Sequence, residues 1–204
     1  LPVNYHPEAL TLESMIKVDK QLRCKRCYSR IEEDWQLPGG QYYCRACIVF
    51  GRNQEGKELY YFPSKTSEIE FPVLKWFGEL TPYQAKVSEK LLRTYQKQKD
   101  SLVHAVTGAG KTEMIYNIVA YVLENKGHVA IASPRVDVCR ELFLRMKRDF
   151  NCSISLLHAE GEPYDGSPLV IATTHQLLKF YHSFDLIIVD EVDAFPFVGN
   201  VMLN

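Results

Sequence analysis

The sequence predicts an α/β protein in which a three-layer domain with a parallel sheet follows a small metal-binding module. Three observations predict this fold class. Short apolar runs alternate with longer helical stretches after residue 71, a glycine-rich loop separates one such run from a helix, and four cysteines form two C-x2-C pairs near the amino terminus. At about 150 residues per domain, the 204 residues leave room for one full domain and a small appendix.

The composition excludes several broad classes of protein. Charged residues make up 24% of the chain and apolar residues 46%, which rules out a wholly disordered, collagen-like or coiled-coil protein. The net charge of −1 argues against general electrostatic capture of nucleic acid, although basic clusters at 20–30 and 86–99 are either solvated faces or phosphate tracks. No apolar stretch approaches the roughly 20 residues that cross a bilayer, so we expect no membrane span. The chain lacks a signal peptide and a starting Met, and we interpret it as a fragment.

The first element is a four-cysteine site. Its members share the spacing C-x2-C, a gap of 16 residues, and C-x2-C again: Cys24, Cys27, Cys44 and Cys47. Each pair offers two sulfurs to a tetrahedral zinc ion, whereas the alternative of two disulfides would require secretion, which nothing else indicates. We therefore predict a zinc-ribbon-like module at about residues 20–52 with one structural Zn²⁺. Three basic neighbours would offset its residual negative charge: Lys25, Arg26 and Arg45.

Two further features complete the amino-terminal region. Trp35 and the sequence Pro38-Gly39-Gly40 predict a strand–turn–strand between the cysteine pairs, and the polar segment 63–70 predicts a linker. The predicted organisation is therefore an amino-terminal region at 1–70 and a nucleotide-binding domain at 71–204. Cys139 and Cys152 lie apart from the cluster, and we expect them to be small buried apolar groups.

Helices and strands alternate in the second region. Thr81, Pro82 and Gln84 predict a capped helix start, followed by an apolar face of Val87, Leu91 and Tyr95. A second helix should bury Ile115, Ile118, Val119 and Val122 and end at Gly127, and a third at 137–150 should bury Val138, Leu142 and Met146. Five apolar runs predict buried parallel strands: Leu102–Val106, Val129–Ala132, Ile154–Leu157, Leu169–Thr173 and Leu186–Val189.

The glycine-rich loop predicts a phosphate site. Residues 105–112 read AVTGAGKT, a phosphate-binding loop with Ala in place of the first Gly. Backbone N–H groups of four residues would cradle the phosphates: Thr107, Gly108, Ala109 and Gly110. Lys111 would reach the β- and γ-phosphates and Thr112 would bind Mg²⁺. A chance match is the alternative, which the strand–loop–helix context disfavours.

The last apolar run ends in acidic residues that complete this site. Asp190 and Glu191 follow Leu186–Val189 directly. Asp190 would bind Mg²⁺ beside the phosphate loop, and Glu191 would orient or deprotonate the attacking water. The alternative is a group of acids that caps the following helix. The two motifs together predict an ATP·Mg²⁺ site.

Four motifs resemble those of DEAD-like superfamily-two helicases, which have a RecA-like P-loop NTPase fold: AVTGAGKT, SPR at 133–135, TTHQL at 173–177 and DEVD at 190–193. With the cysteine module and DEVDAFPF, the chain resembles the ComFA family of late-competence proteins. The resemblance implies an ATP-dependent single-stranded-DNA translocase or helicase that takes up transforming DNA. It also implies a cytoplasmic location at the inner face of the cell membrane, and ComFC and DprA as partners.

The resemblance also assigns roles to single residues. Gln84 would read adenine, although a capping role is an equal alternative. Four residues would contact the backbone of single-stranded DNA: Pro134, Arg135, Thr173 and Thr174. A surface salt bridge is the alternative for Arg135. The second RecA-like lobe, which supplies arginine fingers in this superfamily, is not part of the 204 residues, so we expect these residues alone to bind ATP with little turnover.

Two other functions stay open from the sequence. One is a PriA-like restart or restriction-type translocase, which shares the core motifs but carries no four-cysteine site ahead of the core. The other is a zinc-dependent nucleic-acid-binding or docking module with a non-catalytic ATP fold. Intact Lys111, Thr112, Asp190 and Glu191 argue against that second alternative.

Overall fold

The structure is a computed structural model that describes residues 9–62, 69–106, 108–159, 161 and 163–192. The described residues fall into two compact units. The cysteine unit contains residues 9–62, 174–183 and 191–192, and the sheet unit contains the described residues of 69–173 together with 184–190. Within these described ranges, the structure contains no helix with the length and apolar character needed to cross a membrane.

Short antiparallel pairings build the cysteine unit. Its described residues form six strands: β1 (Leu10–Glu13), β2 (Met15–Val18), β3 (Gln21–Cys24), β4 (Tyr43–Cys44), β5 (Asn53–Gln54) and β6 (Glu58–Tyr61). Strand β1 pairs with β6, β2 with β3, and β4 with β5. A 3-10 turn at Ile48–Phe50 follows the second cysteine pair. Because β3 ends at Cys24 and β4 ends at Cys44, these pairings place one residue of each C-x2-C pair.

The predicted turn between the cysteine pairs is confirmed. Gln36 and Tyr42 form an antiparallel bridge, and the Leu37 N–H donates to the Gln41 carbonyl at 2.9 Å. Gly40 has a φ of 87°, a conformation that glycine adopts without strain. Of the predicted linker at 63–70, residues 63–68 lie outside the described residues.

The sheet unit contains four helices and four strands among its described residues. In chain order they are α1 (Pro82–Gln96), α2 (Lys111–Met114), α3 (Tyr116–Glu124), β7 (Val129–Ser133), α4 (Val136–Asp149), β8 (Ile154–Leu157), β9 (Leu169–Thr173) and β10 (Leu186–Val189). The strands form one parallel sheet in the order β10-β7-β9-β8. The central strands β7 and β9 are buried along their whole length, so both faces of the sheet are covered. The predicted RecA-like α/β fold is therefore confirmed.

One predicted strand is wrong. Residues 102–106 form no strand in the structure, and Leu102 and Val106 are 81% and 76% exposed. A strand is stable only when its backbone pairs with a neighbour, and no described residue pairs with this run. The run therefore reaches the phosphate loop without regular secondary structure.

The three predicted helices are present with small differences. Thr81 and Gln84 form the expected capping box at the start of α1, whose predicted apolar face is only half-buried. The second helix is interrupted at Ile115, so that α2 is a single turn and α3 carries the buried Ile118, Val119 and Val122. The Gly127 N–H donates to the Val122 carbonyl at 2.9 Å, and a Cβ on Gly127 would lie 3.0 Å from that oxygen. The helix ends at Glu124, and the left-handed residue after it is Lys126, with a φ of 61°, so Gly127 is not the terminator that we predicted but lies one position beyond it.

Helix α4 buries the predicted stripe and one isolated cysteine. Leu142 and Met146 are buried and Val138 is half-buried against the same core. Cys139 is buried as expected, and its thiol donates to the Ala172 carbonyl at 3.2 Å. Cys152 is half-buried, and burial raises the pKa of its thiol to about 11.

A buried carboxylate fixes the end of α4. Asp149 Oδ2 accepts a hydrogen bond from the Tyr116 hydroxyl at 2.6 Å, and Arg148 donates to both carboxylate oxygens at 2.7 and 2.8 Å. The Arg148 guanidinium holds the pKa of Asp149 below its ordinary value. The Asp149 carbonyl also accepts from the Lys75 N–H at 2.7 Å, which ties the segment before α1 to the core.

Candidate nucleotide site and four-cysteine centre

The phosphate loop has the backbone that its glycines predict. Gly108 and Gly110 have φ values of 79° and 74°, in the left-handed region that glycine adopts readily. The Ala109 N–H donates to the Val106 carbonyl at 3.2 Å, and Gly110 is the N-cap of α2. Thr107, which we assigned to the same cradle, lies outside the described residues.

Gln84 joins the start of α1 to this loop. Its Oε1 accepts from the Thr81 N–H at 2.8 Å, while its Nε2 donates to the Ala109 carbonyl at 2.9 Å. The capping role is confirmed, and the adenine role stays a prediction. A Cβ added at Gly110 would lie 2.3 Å from Gln84 Nε2, so the glycine also makes room for this contact. Sequence reasoning missed the loop contact because 25 residues separate the two groups.

Lys111 and Thr112 are the first residues of α2, and the Lys111 side chain is exposed. Asp190 follows β10, and its N–H donates to the Ala132 carbonyl of β7 at 2.8 Å. Glu191 comes next, with a φ of 53°. The expected meeting of Lys111 and Asp190 around one magnesium ion stays a prediction.

The sheet register brings several predicted residues to one edge. Ser133 pairs with Thr173 and Ala132 pairs with Val189, so β7, β9 and β10 end side by side. Pro134 and Arg135 follow β7 at this carboxyl edge, Thr173 is the last residue of β9, and Thr174 continues the chain from there. In parallel α/β sheets, ligands bind outside the carboxyl ends of the strands.

Arg135 forms the surface ion pair that was the alternative to a DNA contact. Its guanidinium donates to both carboxylate oxygens of Asp137, and it holds the pKa of Asp137 below its ordinary value. Both side chains are exposed. The DNA contact of Arg135 stays a prediction.

The four predicted metal ligands converge. Their Sγ atoms all lie within 4.8 Å of one another, and all four residues are buried. Two contacts join sulfurs of different C-x2-C pairs, with Cys24 and Cys47 at 3.7 Å and Cys27 and Cys44 at 3.6 Å. A tetrahedral zinc ion with Zn–S bonds of about 2.3 Å places its sulfurs roughly 3.8 Å apart. The cluster can therefore hold such an ion, and the four residues are free thiols in place of the alternative disulfides.

Two side chains donate hydrogen bonds to these sulfurs. Arg26 donates to Cys47 Sγ through Nε at 3.2 Å and Nη2 at 3.1 Å, and Asn53 Nδ2 donates to Cys24 Sγ at 3.1 Å. Hydrogen bonds from the other three thiols, with Cys27 contributing most, lower the pKa of Cys24. Hydrogen bonds that are donated to a sulfur stabilise its thiolate, which is the form of cysteine that binds metal.

The structure corrects the predicted charge compensation. Of the three basic neighbours, only Arg26 reaches a sulfur. Arg45 pairs instead with Asp34 at 3.0 Å, and the Lys25 ammonium lies over the Tyr181 ring. Asn53 was missed by sequence reasoning. A polar residue six positions after the last cysteine was the only signal, and its burial could not be read from the chain.

Comparisons with known proteins agree with these sites. A family model described as the type III restriction enzyme, res subunit, matches residues 77–197. A protein named competence protein ComFA from Streptococcus pneumoniae is 59% identical over 195 residues, which is 94% of this chain. Its namesake from Bacillus subtilis is 37% identical over 203 residues, which is 96% of this chain. The chain spans 44% of the length of each relative.

A weaker similarity extends to another group. The replication restart protein PriA of Helicobacter pylori is 28% identical over 117 residues, which is 52% of this chain and 19% of that protein. The likeness to ComFA is stronger and covers nearly the whole chain. The resemblance predicted from the motifs is therefore confirmed, both for the late-competence proteins and for the helicase-type domain.

Proposed function

Because the chain belongs to the helicase-type family of the type III restriction enzyme res subunit, we propose that it is the nucleotide-binding part of an ATP-dependent single-stranded-DNA translocase or helicase. We propose further that this motor takes up transforming DNA during competence. The observation that carries the proposal is the phosphate loop, with its two left-handed glycines directly before α2. The similarity to ComFA over 94% of the chain supports the task in competence.

In this proposal the chain's own residues bind and activate the nucleotide. Backbone N–H groups of 107–110 bind the phosphates, for which the Ala109 N–H leaves the Val106 carbonyl, and Lys111 neutralises charge at the β- and γ-phosphates. Thr112 and Asp190 hold magnesium, which supplies further charge neutralisation. Glu191 orients the attacking water or accepts its proton. Adenine would compete with the Ala109 carbonyl for the amide of Gln84.

The DNA contact would be made at the carboxyl edge of the sheet. Arg135 offers an exposed guanidinium to a sugar–phosphate backbone, and Pro134 beside it is half-buried. Thr173 and Thr174 are buried, so their hydroxyls and main-chain N–H groups would reach the backbone only after this edge of the sheet opens. Such contacts carry no base information, so we expect binding that is independent of sequence and that weakens as salt rises.

The four thiolates would hold one structural zinc ion. All four positions of a tetrahedral site are taken by sulfur, which leaves none for substrate. We expect about one zinc per chain, and local unfolding of the cysteine unit with a strong chelator. Stoichiometric disulfides without metal would contradict this assignment.

The cellular setting rests on the similarity to ComFA alone. We propose that the protein works in the cytoplasm at the inner face of the cell membrane, with ComFC and DprA as partners. We also propose that the 204 residues by themselves bind ATP with little turnover, since they span 44% of the ComFA relatives.

The test is the ATPase rate of the full-length protein with single-stranded DNA, with duplex DNA and without DNA, alongside metal analysis. We expect single-stranded DNA to stimulate hydrolysis, and Lys111→Ala to abolish it. Hydrolysis that is indifferent to DNA would refute the motor. Robust DNA-stimulated turnover by the 204 residues would refute the proposed need for the rest of the protein.

A further inference from the structure

The first cysteine pair carries an exposed tyrosine within the basic cluster at 20–30. Tyr28 directly follows Cys27, and its N–H donates to the Cys24 carbonyl at 2.8 Å. The Cys24 N–H donates in turn to the Ser29 carbonyl at 3.0 Å. The backbone of Tyr28 is therefore fixed by the same turn that carries two of the predicted metal ligands, while the residue itself is 49% exposed.

The backbone conformation of Tyr28 costs stability. Its φ is 61°, in the left-handed region that bulky side chains rarely adopt and that glycine adopts without strain. Because the residue stays about half exposed, the packing of its ring offsets only part of this cost. Strained residues of this kind cluster at functional sites. The presence of a tyrosine here therefore points to a role for the exposed ring.

Two arginines lie beside this tyrosine. The Arg23 guanidinium lies over the Tyr28 ring, 5.0 Å from its centre, and its Nη1 donates to the Tyr28 carbonyl at 3.2 Å. Arg23 and the exposed Arg30 face each other across an antiparallel bridge, where like charges destabilise the pairing. Among the residues that the structure describes, no carboxylate forms an ion pair with either arginine, and the buried Arg23 Nε has no hydrogen-bond partner. An anionic ligand would offset this unfavourable arrangement of charge.

A single strand of nucleic acid fits this combination of groups. An exposed aromatic ring offers a base a face on which to stack, and a guanidinium donates to the phosphates of the same strand. In a duplex the faces of the bases are covered by their neighbours, so an exposed ring favours a single strand. An acidic peptide would satisfy the two arginines but would give no reason for the exposed tyrosine.

We propose that the first cysteine pair carries a second site for single-stranded DNA, in which a base stacks on Tyr28 and a neighbouring phosphate binds Arg30. Arg23 is a positioning residue that holds the Tyr28 ring. We call this arrangement the Tyr28 site, and it uses only residues of the cysteine unit. It rests on the proposed function only for the choice of DNA as the single strand.

The first measurement is the affinity of the full-length protein for a fluorescent oligo(dT). Tyr28→Gly removes the ring at a position whose φ suits glycine, so the variant should keep its zinc and melt at no lower temperature than the parent protein. Its affinity for oligo(dT) should nevertheless fall at least about fivefold, the size of one stacked base. Tyr28→Phe keeps the ring and should bind within about twofold of the parent protein.

Tyr60→Ala is the matched control. Tyr60 lies in the same unit and is similarly exposed, at 44%, but its hydroxyl donates to the Glu58 carboxylate at 3.3 Å. A carboxylate repels phosphate, so we expect this variant to bind oligo(dT) as tightly as the parent protein. Equal losses of affinity in Tyr60→Ala and Tyr28→Gly would contradict a specific Tyr28 site.

The dependence of binding on salt tests the phosphate contact. Arg30→Ala should weaken binding and should lower the slope of log affinity against log salt concentration by about 0.7, the value for one phosphate of a single strand. Arg30→Lys keeps the charge and should keep the slope. An unchanged slope in Arg30→Ala would show that no phosphate binds this arginine.

The second measurement locates the stacked base. Oligo(dT) with 5-iododeoxyuridine in place of one thymidine forms a cross-link under ultraviolet light with an aromatic side chain that contacts the substituted base, and mass spectrometry identifies that side chain. We expect a cross-link at Tyr28, and we expect unlabelled oligo(dT) to compete for it better than oligo(U). The absence of a cross-link at Tyr28 would refute the proposal. Better competition by oligo(U) would also refute it, because RNA would then be the ligand.

The outcomes separate the Tyr28 site from the proposed function. If Tyr28→Gly binds as tightly as the parent protein while single-stranded DNA still stimulates ATP hydrolysis, the Tyr28 site is wrong and the motor stands. If DNA leaves hydrolysis unchanged but the cross-link forms at Tyr28, the motor is wrong and the Tyr28 site stands. Loss of zinc from Tyr28→Gly would show that the ring supports the fold, which would overturn the proposal.

Discussion

Arg26 is expected to determine how tightly the four-cysteine site holds its metal. Its guanidinium donates twice to Cys47 Sγ and also to three carbonyls, those of Cys47 at 2.8 Å, Phe50 at 3.0 Å and Gly51 at 2.6 Å. Arg26→Ala removes all of these hydrogen bonds and leaves a buried thiolate with less compensation for its charge. The backbone from Cys47 to Gly51 also loses the side chain that donates hydrogen bonds to three of its carbonyls.

The size of the effect follows from the contacts that are lost. A hydrogen bond to a charged group contributes about 1.5–3 kcal/mol. Since about 1.4 kcal/mol corresponds to a tenfold change in an equilibrium constant, zinc affinity should fall roughly 10- to 100-fold. This is also the range found when residues that orient metal ligands are replaced. Arg26→Lys keeps the charge but not the planar fork, so we expect a loss of about tenfold.

The assay is competition for zinc against a chromophoric chelator, with Arg45→Ala as the matched control. Arg45 also lies beside a cysteine in sequence, but its guanidinium pairs with the exposed Asp34 and not with a sulfur. We expect Arg45→Ala to hold zinc within about twofold of the parent protein, as for other exposed ion pairs. Equal losses for both arginine variants would show that general charge, and not the contact with Cys47, sets the affinity.

Three other variants test separate parts of the structure. Tyr116→Phe removes the 2.6 Å hydrogen bond to the buried Asp149 and should lower the free energy of unfolding in urea by about 1–3 kcal/mol, whereas Tyr83→Phe, at an exposed site, should have no effect. Because Arg148 lowers the pKa of Asp149, this carboxylate stabilises the fold above its unfolded pKa of about 3.9 and stops doing so as the pH falls through the folded value. Urea unfolding at several acidic pH values should therefore be less pH-dependent in Asp149→Asn than in the parent protein. Glu191→Gln in the full-length protein should abolish ATP turnover while leaving nucleotide binding intact, and unchanged turnover would remove Glu191 from its proposed role.

Local signals in the sequence predicted much of the fold. The capping box at Thr81 and Gln84 and the apolar stripe of α4 depend on residues that are close in sequence, and four of the five predicted strands are present where the apolar pattern placed them. The C-x2-C spacing identified all four sulfurs for the same reason. In these cases, residues within a few positions of one another in the sequence are enough to predict the local structure.

The predictions from the sequence are wrong where a residue that is distant in the sequence determines the local structure or contact. The apolar pattern of 102–106 is that of a strand, but the pattern cannot supply the neighbouring backbone that a strand needs. The sequence places three basic residues directly beside the cysteines, Lys25, Arg26 and Arg45. Only the tertiary structure shows that Arg26 is the one that donates to a sulfur. The contact of Leu178 with the four-cysteine cluster joins segments more than 100 positions apart, beyond the reach of local patterns.

The position of β10 in the sheet has a practical consequence for handling the protein. Among the described strands it pairs with β7 alone, and it exposes Ile187 and Val189. An open, apolar strand edge is a template on which identical molecules add to one another. We expect concentrated solutions of the 204 residues to form oligomers, and we expect Ile187→Lys to keep them dispersed, both measured by light scattering.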